Sequence, residues 1–207
     1  MGVHNVTRSR LRGVGRGRAE GMPARIPLPV HLASTSFRTS DARRAGLGEG
    51  RLRGPDLQLP FHGVRTPASV PLTLTERCRA YQLRIPPAQV FSHVTAALLY
   101  GLPLPARLES GPLDVASIDA PALPRSRGVR GHRLSSASAS ASVEVVIWRG
   151  TPIVSPVDAW CQLAPLLSER ELIVAGDGLL RRHHPLSDIE AMCVGCSATD
   201  AGAAAGR

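Results

Sequence analysis

Hydrophobic patterning is confined to the middle of this chain, and that limits what can fold. Residues 1–21, MGVHNVTRSRLRGVGRGRAEG, are polar, rich in Gly and Arg, and aperiodic. Such a stretch buries too little apolar surface to offset chain entropy, and it reads as a disordered basic arm. Residues 191–207, AMCVGCSATDAGAAAGR, lose their periodicity again and read as a disordered tail. Between them the 207-residue chain has room for one ordinary domain, or a small unit joined to a medium one. A second methionine, Met22, opens the patterned stretch, and a start there would leave the arm untranslated.

The core is built with few large anchors. Apolar residues make up 43% but aromatics only 3%, so Leu, Val, Ile and Ala must fill it. All 25 basic residues are arginine. Beside so much Ala, Gly and Pro, that reads as codon bias in a GC-rich genome. Their distribution says more. Eleven arginines against Glu20, Asp41 and Glu49 leave residues 1–53 with a net +8, nearly all of the total +9. A segment of that sign favours polyanions, chiefly nucleic acid; a solvated arm is the plainer alternative. No apolar run reaches the roughly 18–20 residues that span a bilayer, and the start lacks the apolar stretch of a secretory signal. Cys78, Cys161, Cys193 and Cys196 show no disulfide-framework spacing. The expectation is a soluble cytoplasmic protein with no membrane partner.

Local signals predict the elements. Thr39 or Ser40 caps a short helix through Ala45, ended by Gly46. The Gly-rich LGEGRLRGPDL permits at most a short second helix, and QLPFHGVRTP reads as a strand pair about Gly63. That order is the order of a winged helix-turn-helix, whose second helix enters the major groove while the wing touches backbone. LTERCRAYQLR (74–84) is a helix capped by Thr73 or Thr75, and a second helix follows Ser92 in FSHVTAALLYG. LDVASID (113–119) alternates as a strand, and VEVVIW pairs with TPIVS across Arg149-Gly150. Ser155-Pro156 starts the helix PVDAWCQLAPLL, and Ser168-x-x-Glu171 is a capping box for ELIVAGDGLLRR. Ser187 and Glu190 form a second such box, and SSASASAS (135–142) is a low-complexity linker. The fold class is α+β: a winged-helix-like unit at 22–68, then a mixed α/β domain at 69–190.

Candidate chemistry is sparse. Cys193-x-x-Cys196 near His183 and His184 resembles half a zinc site, but adjacent histidines on a helix diverge by about 100°. No metal, no cofactor and no catalytic residue is expected. His93 and Thr95 have no nucleophile or carboxylate at readable spacing, so a buried or capping role is expected for them. Arg125, Arg127, Arg130, His132 and Arg133 in PRSRGVRGHRL form either a nucleic-acid backbone patch or a solvated loop. Asp177 between two glycines lacks the Lys of a phosphate loop and reads as a polar helix position.

Several strings together resemble a known family. FRTSDARRAGLGEGRLRGPDLQLPFHGVR, FSHVTAALLYGLPLP, RGVRGHRL and GTPIVSPVDAWCQLAPLLSERELIVAGDGLLRR occur in order over residues 22–190. They resemble actinobacterial proteins whose N-terminal half is an AbiEi-type antitoxin domain of type IV toxin–antitoxin systems. The C-terminal half of those proteins is similar to a very-short-patch-repair endonuclease. The resemblance implies DNA binding and autoregulation, with contacts carried onto Arg43, Arg44, Arg51 and Arg53 of the helical unit. On the wing it implies His62 and Arg65; Arg130 and Arg133 join the set from the basic run. The Gly-rich LGEGRLRG makes a weak recognition helix, which favours phosphate over base contacts. The family's metal-binding carboxylates lie downstream of the point matching Ile189-Glu190, and only seventeen residues follow Glu190 here. The nuclease is therefore expected to be missing. The sequence predicts a non-catalytic DNA-binding regulatory protein; the alternatives are a truncated remnant, or a module that binds a cognate toxin or other protein.

Overall fold

A computed structural model describes residues 26–120, 122–135 and 143–182. The basic arm, the 136–142 linker, Ser187 and Glu190, His183 and His184, and Cys193 and Cys196 lie outside the described residues. The architecture is α+β, with a three-stranded antiparallel sheet and a five-stranded mixed sheet.

The first sheet takes the order β1-β3-β2. After a 3-10 turn at Val30–Leu32 come β1 (Phe37–Arg38), α1 (Thr39–Arg44) and α2 (Glu49–Leu52). Then β2 (Leu57–Gln58) pairs with β3 (Val64–Pro67), Leu57 opposite Pro67 and Gln58 opposite Thr66. The cap of α1 differs from expectation: Arg38 stands there, Thr39 is already helical, and no side chain caps the end. The Thr39 amide instead donates to the Gly63 carbonyl at 2.9 Å, so the neighbouring strand turn does the capping. Leu32, Phe37, Ala42, Leu47 and Leu52 form a small core for this part. Phe61 and Val64 do not join it; they belong to the larger core, where Phe61 meets Tyr81 edge-on at 5.1 Å.

The larger sheet takes the order β6-β5-β4-β8-β7. Its strands are β4 (Gln89–Phe91), β5 (Leu113–Ile118), β6 (Val129–Leu134), β7 (Val145–Trp148) and β8 (Thr151–Val154). Helices α3 (Leu74–Gln82), α4 (His93–Leu99), α5 (Ala106–Glu109), α6 (Pro156–Cys161) and α7 (Glu169–Arg182) surround it. The β7–β8 hairpin turns on Arg149 and Gly150, both at positive φ (49° and 77°), as a two-residue turn requires. The basic run at 129–134 is a strand rather than a loop, paired in parallel with all of β5. The helix PVDAWCQLAPLL stops at Cys161, short of its expected length. Pro165 explains it: proline lacks an N–H and crowds the carbonyl four residues back. Among the described residues, no helix is long and apolar enough to cross a membrane.

Candidate nucleic-acid interface

The expected contacts on the helical unit fall into two groups. Arg43 donates from Nε to Glu49 Oε1 at 2.5 Å, bridging α1 to α2, and this holds the Glu49 carboxyl below its ordinary range. Arg44 pairs with Asp41 one turn back, also at 2.5 Å. Both pairs are exposed, and water and salt screen such pairs, so neither ties its arginine firmly to the carboxylate. Arg53 is exposed at the end of α2, with no carboxylate paired to it among the described residues.

Arg51 belongs elsewhere. Its side chain is 6% exposed and grips both oxygens of Asp56, at 3.0 and 2.7 Å. Its Nε donates to the Ile26 carbonyl at 2.5 Å. Buried and bidentate, this guanidinium ties the start of the described chain to the turn after α2. Arg65 is half-buried and similarly committed, donating to the carbonyls of Leu52 at 2.7 Å and Val64 at 3.0 Å. His62 is exposed, at the tip of the β2–β3 turn beside Gly63.

That tip lies on a groove of about 370 Å3 whose lining includes Arg38, Ser40, His62 and Arg84. It forms where the β2–β3 turn meets the end of α3. Arg38 Nε donates to the Leu83 carbonyl, and Arg84 donates to Ser126 Oγ at 3.3 Å.

A second constellation centres on Asp114, which is buried in β5. His132 Nε2 lies 2.8 Å from Asp114 Oδ1, and Arg130 NH1 lies 3.5 Å from the same oxygen. Parallel register puts Asp114 beside Arg130 and Ala116 beside His132, so these side chains share one face. Arg133 projects from the opposite face, so the sheet separates Arg130 from Arg133. The His93 ring stacks on His132 at 3.6 Å, with 17° between the planes. Burial lowers the His93 pKa to about 4, and the neighbouring His132 and Arg130 add to that against the pull of Asp114. His93 has φ 48°. Its amide donates to Gln162 Oε1 at 2.8 Å, and its Nδ1 lies 3.0 Å from Ser92 Oγ. Thr95 Oγ1 accepts from the Asp114 amide at 2.7 Å.

No family model, no curated protein and no solved structure matches this chain. A carboxylate only accepts, so His132 Nε2 is the donor of its bond to Asp114. Ser92 and Thr95 are buried, so neither offers a hydroxyl to an incoming molecule. Among the described residues, no group of three or more His, Cys, Asp or Glu is placed to hold a metal ion.

Sequence reasoning had noted the His93–Thr95 pair but not its carboxylate. Asp114 lies nineteen residues after Thr95 and meets it only through sheet pairing. The available signal was a single acid on a strand with no other charged residue, LDVASI. Arg38 and Arg84 gave no signal, because each stands at the end of an element and only tertiary packing brings them to one groove.

Proposed function

We propose that this chain is a non-catalytic DNA-binding regulatory protein, similar in kind to the antitoxins of type IV toxin–antitoxin systems. The observation that supports it is the succession α1, turn, α2, β2–β3, a winged helix-turn-helix-like order, with Arg43, Arg44 and Arg53 exposed on the helices. The helix in the recognition position spans only four residues, Glu49–Leu52, and its arginine, Arg51, is buried. Such a helix offers little for reading base edges. Binding by phosphate contact, with modest sequence preference, fits it better.

The test is a salt titration of the full chain on duplex DNA. Expected is an affinity that falls linearly in log–log form, with a slope of about −0.9 per phosphate neutralised. Arg44→Gln with Arg53→Gln should shallow that slope by about 2. Absence of binding even at low salt would overturn the reading.

A partner-binding module, with a cognate toxin or other protein as its target, is favoured by one observation. Strand β7 closes the large sheet on one side and leaves Val145 and Ile147 exposed, the latter 71%. An apolar edge of that kind is an opening for strand addition.

A further inference from the structure

We propose that the groove where the β2–β3 turn and the start of α1 meet the end of α3 is a phosphate seat. The groove of about 370 Å3 carries Arg38, His62 and Arg84 on its walls, together with the Ser40 hydroxyl, and among the described residues no carboxylate lines it. Asp41, next to Ser40 in sequence, accepts from Ser40 Oγ at 3.3 Å and pairs with Arg44 at 2.5 Å. Among the described residues, no carboxylate pairs with Arg38 or Arg84. Most other arginines of the small unit are already engaged: Arg43 and Arg44 with carboxylates, Arg51 with Asp56, Arg65 with carbonyls.

Both groove guanidiniums are held in place by neutral groups. Arg38 spends one N–H on the Leu83 carbonyl, and Arg84 spends one on Ser126 while its carbon lies 5.9 Å from the Tyr81 ring centre. A guanidinium has five donors, so most remain for a ligand. Anchoring by a carbonyl or hydroxyl lowers the entropy lost on binding and leaves the positive charge uncompensated. Two fixed guanidiniums, a histidine and a hydroxyl in one concavity make a seat for a dianionic or diester phosphate.

The bond from Arg84 to Ser126 extends the seat towards the β5–β6 connection, where Arg125 and Arg127 are exposed. Two basic stretches far apart in sequence, one at residues 38–62 and one at 125–127, become one tract through it. The ligand is a phosphate of a nucleic-acid backbone, so the inference rests on the DNA-binding reading and adds a contact beyond the arginines of α1 and α2. The same chemistry would accept a free phosphate, and the two sources are separable.

The experiment uses the full chain, a short mixed-sequence DNA duplex and inorganic pyrophosphate. Expected is that Arg38→Gln with Arg84→Gln shallows the salt slope of duplex binding by about 2, additively with Arg44→Gln and Arg53→Gln. Because Arg38→Gln also removes the bond to Leu83, Ser40→Glu serves as a second variant, placing a negative charge in the groove without breaking that tie. It should weaken duplex binding while leaving the melting temperature near that of the parent. Pyrophosphate should shift the Nε resonances of Arg38 and Arg84 in the parent and not in the Ser40→Glu variant. If duplex binding is absent but pyrophosphate still moves those resonances, the seat stands, its ligand is a free phosphate, and the DNA-binding reading alone fails. If the duplex binds with an unchanged slope in the groove variants, the seat is overturned while the DNA-binding reading survives. If neither probe responds, both are overturned.

Discussion

His93 shows how a single position stores a pH dependence. Its ring is stacked on His132 and largely buried, and its pKa falls to about 4 from an ordinary 6.5. Above pH 6.5 the ring is neutral folded and unfolded, so it contributes no pH dependence. Below that value the unfolded chain binds a proton that the folded chain refuses, and stability falls until about pH 4. A shift of this size corresponds to about 3 kcal/mol lost across the window. His93→Asn removes the titration and suits a residue with φ 48°, since Asn tolerates the left-handed region. The expected outcome is a flatter melting temperature against pH between 6.5 and 4 than in the parent, followed by circular dichroism. Arg51 carries the other residue-scale prediction. Arg51→Gln breaks the bidentate grip on Asp56 and the bond to the Ile26 carbonyl, and should cost about 1–3 kcal/mol in denaturant unfolding. Arg53→Gln should leave stability unchanged. Sequence could not separate the two arginines, because RLR presents them two positions apart with the same chemistry. Only the docking of α2 on the small core turns one inward.

Elements were legible where a local signal governs them. The Ser168–Glu171 capping box forms as written, with Ser168 N–H and Oγ both 2.9 Å from Glu171 Oε2. Hydrogen bonds from Arg107 and then from Ser168 hold the Glu171 carboxyl down to about 2. Ser155 caps α6 with Pro156 behind it, as the dipeptide implies. Ser92 was misleading: it stands at the start of α4 but makes no cap bond, its Oγ lying against His93 Nδ1 instead. Strands β1 and β4 span two and three residues, too short for any periodicity to announce them. The strand at 129–134 was hidden for another reason. Its neighbour β5 lends it a ladder, while its own centre is Arg130, Gly131, His132 and Arg133, with no apolar alternation. Helix α7 gives a prediction that opposes simple propensity. Gly178 sits within it, and alanine there would gain about 1 kcal/mol of helix propensity. A Cβ at that position would stand 2.8 Å from Pro103 Cγ and closer still to Cδ of the same rigid ring. Overpacking of this kind costs about 1–3 kcal/mol, so Gly178→Ala should lower the unfolding midpoint rather than raise it.

At the scale of the whole molecule, the question is whether residues 22–68 behave as a separate unit. They have a small core of their own, and their composition sets them apart. Yet Phe61, in the turn before β3, and Val64, the first residue of β3, enter the larger core, 4% and 1% exposed. Phe61 meets Tyr81 edge-on, and Tyr81 meets Phe91 of β4 in the same way at 6.1 Å, so three aromatic rings run from the small sheet into the large one. In a chain with so few aromatics, these contacts concentrate much of the packing between the two sheets. The charged groove grows from the same junction, since Arg38 reaches Leu83 across it. Phe61→Ala removes the first ring of the three and should cost about 3–4 kcal/mol. If the two sheets unfold as one cooperative system, the variant melts in a single transition at a lower temperature, with far-ultraviolet circular dichroism and Trp148/Trp160 fluorescence coincident. Two separated transitions, with the fluorescence midpoint unmoved, would instead mark residues 22–68 as an independent domain. The groove would then be a gap between mobile partners, too loose to orient a phosphate.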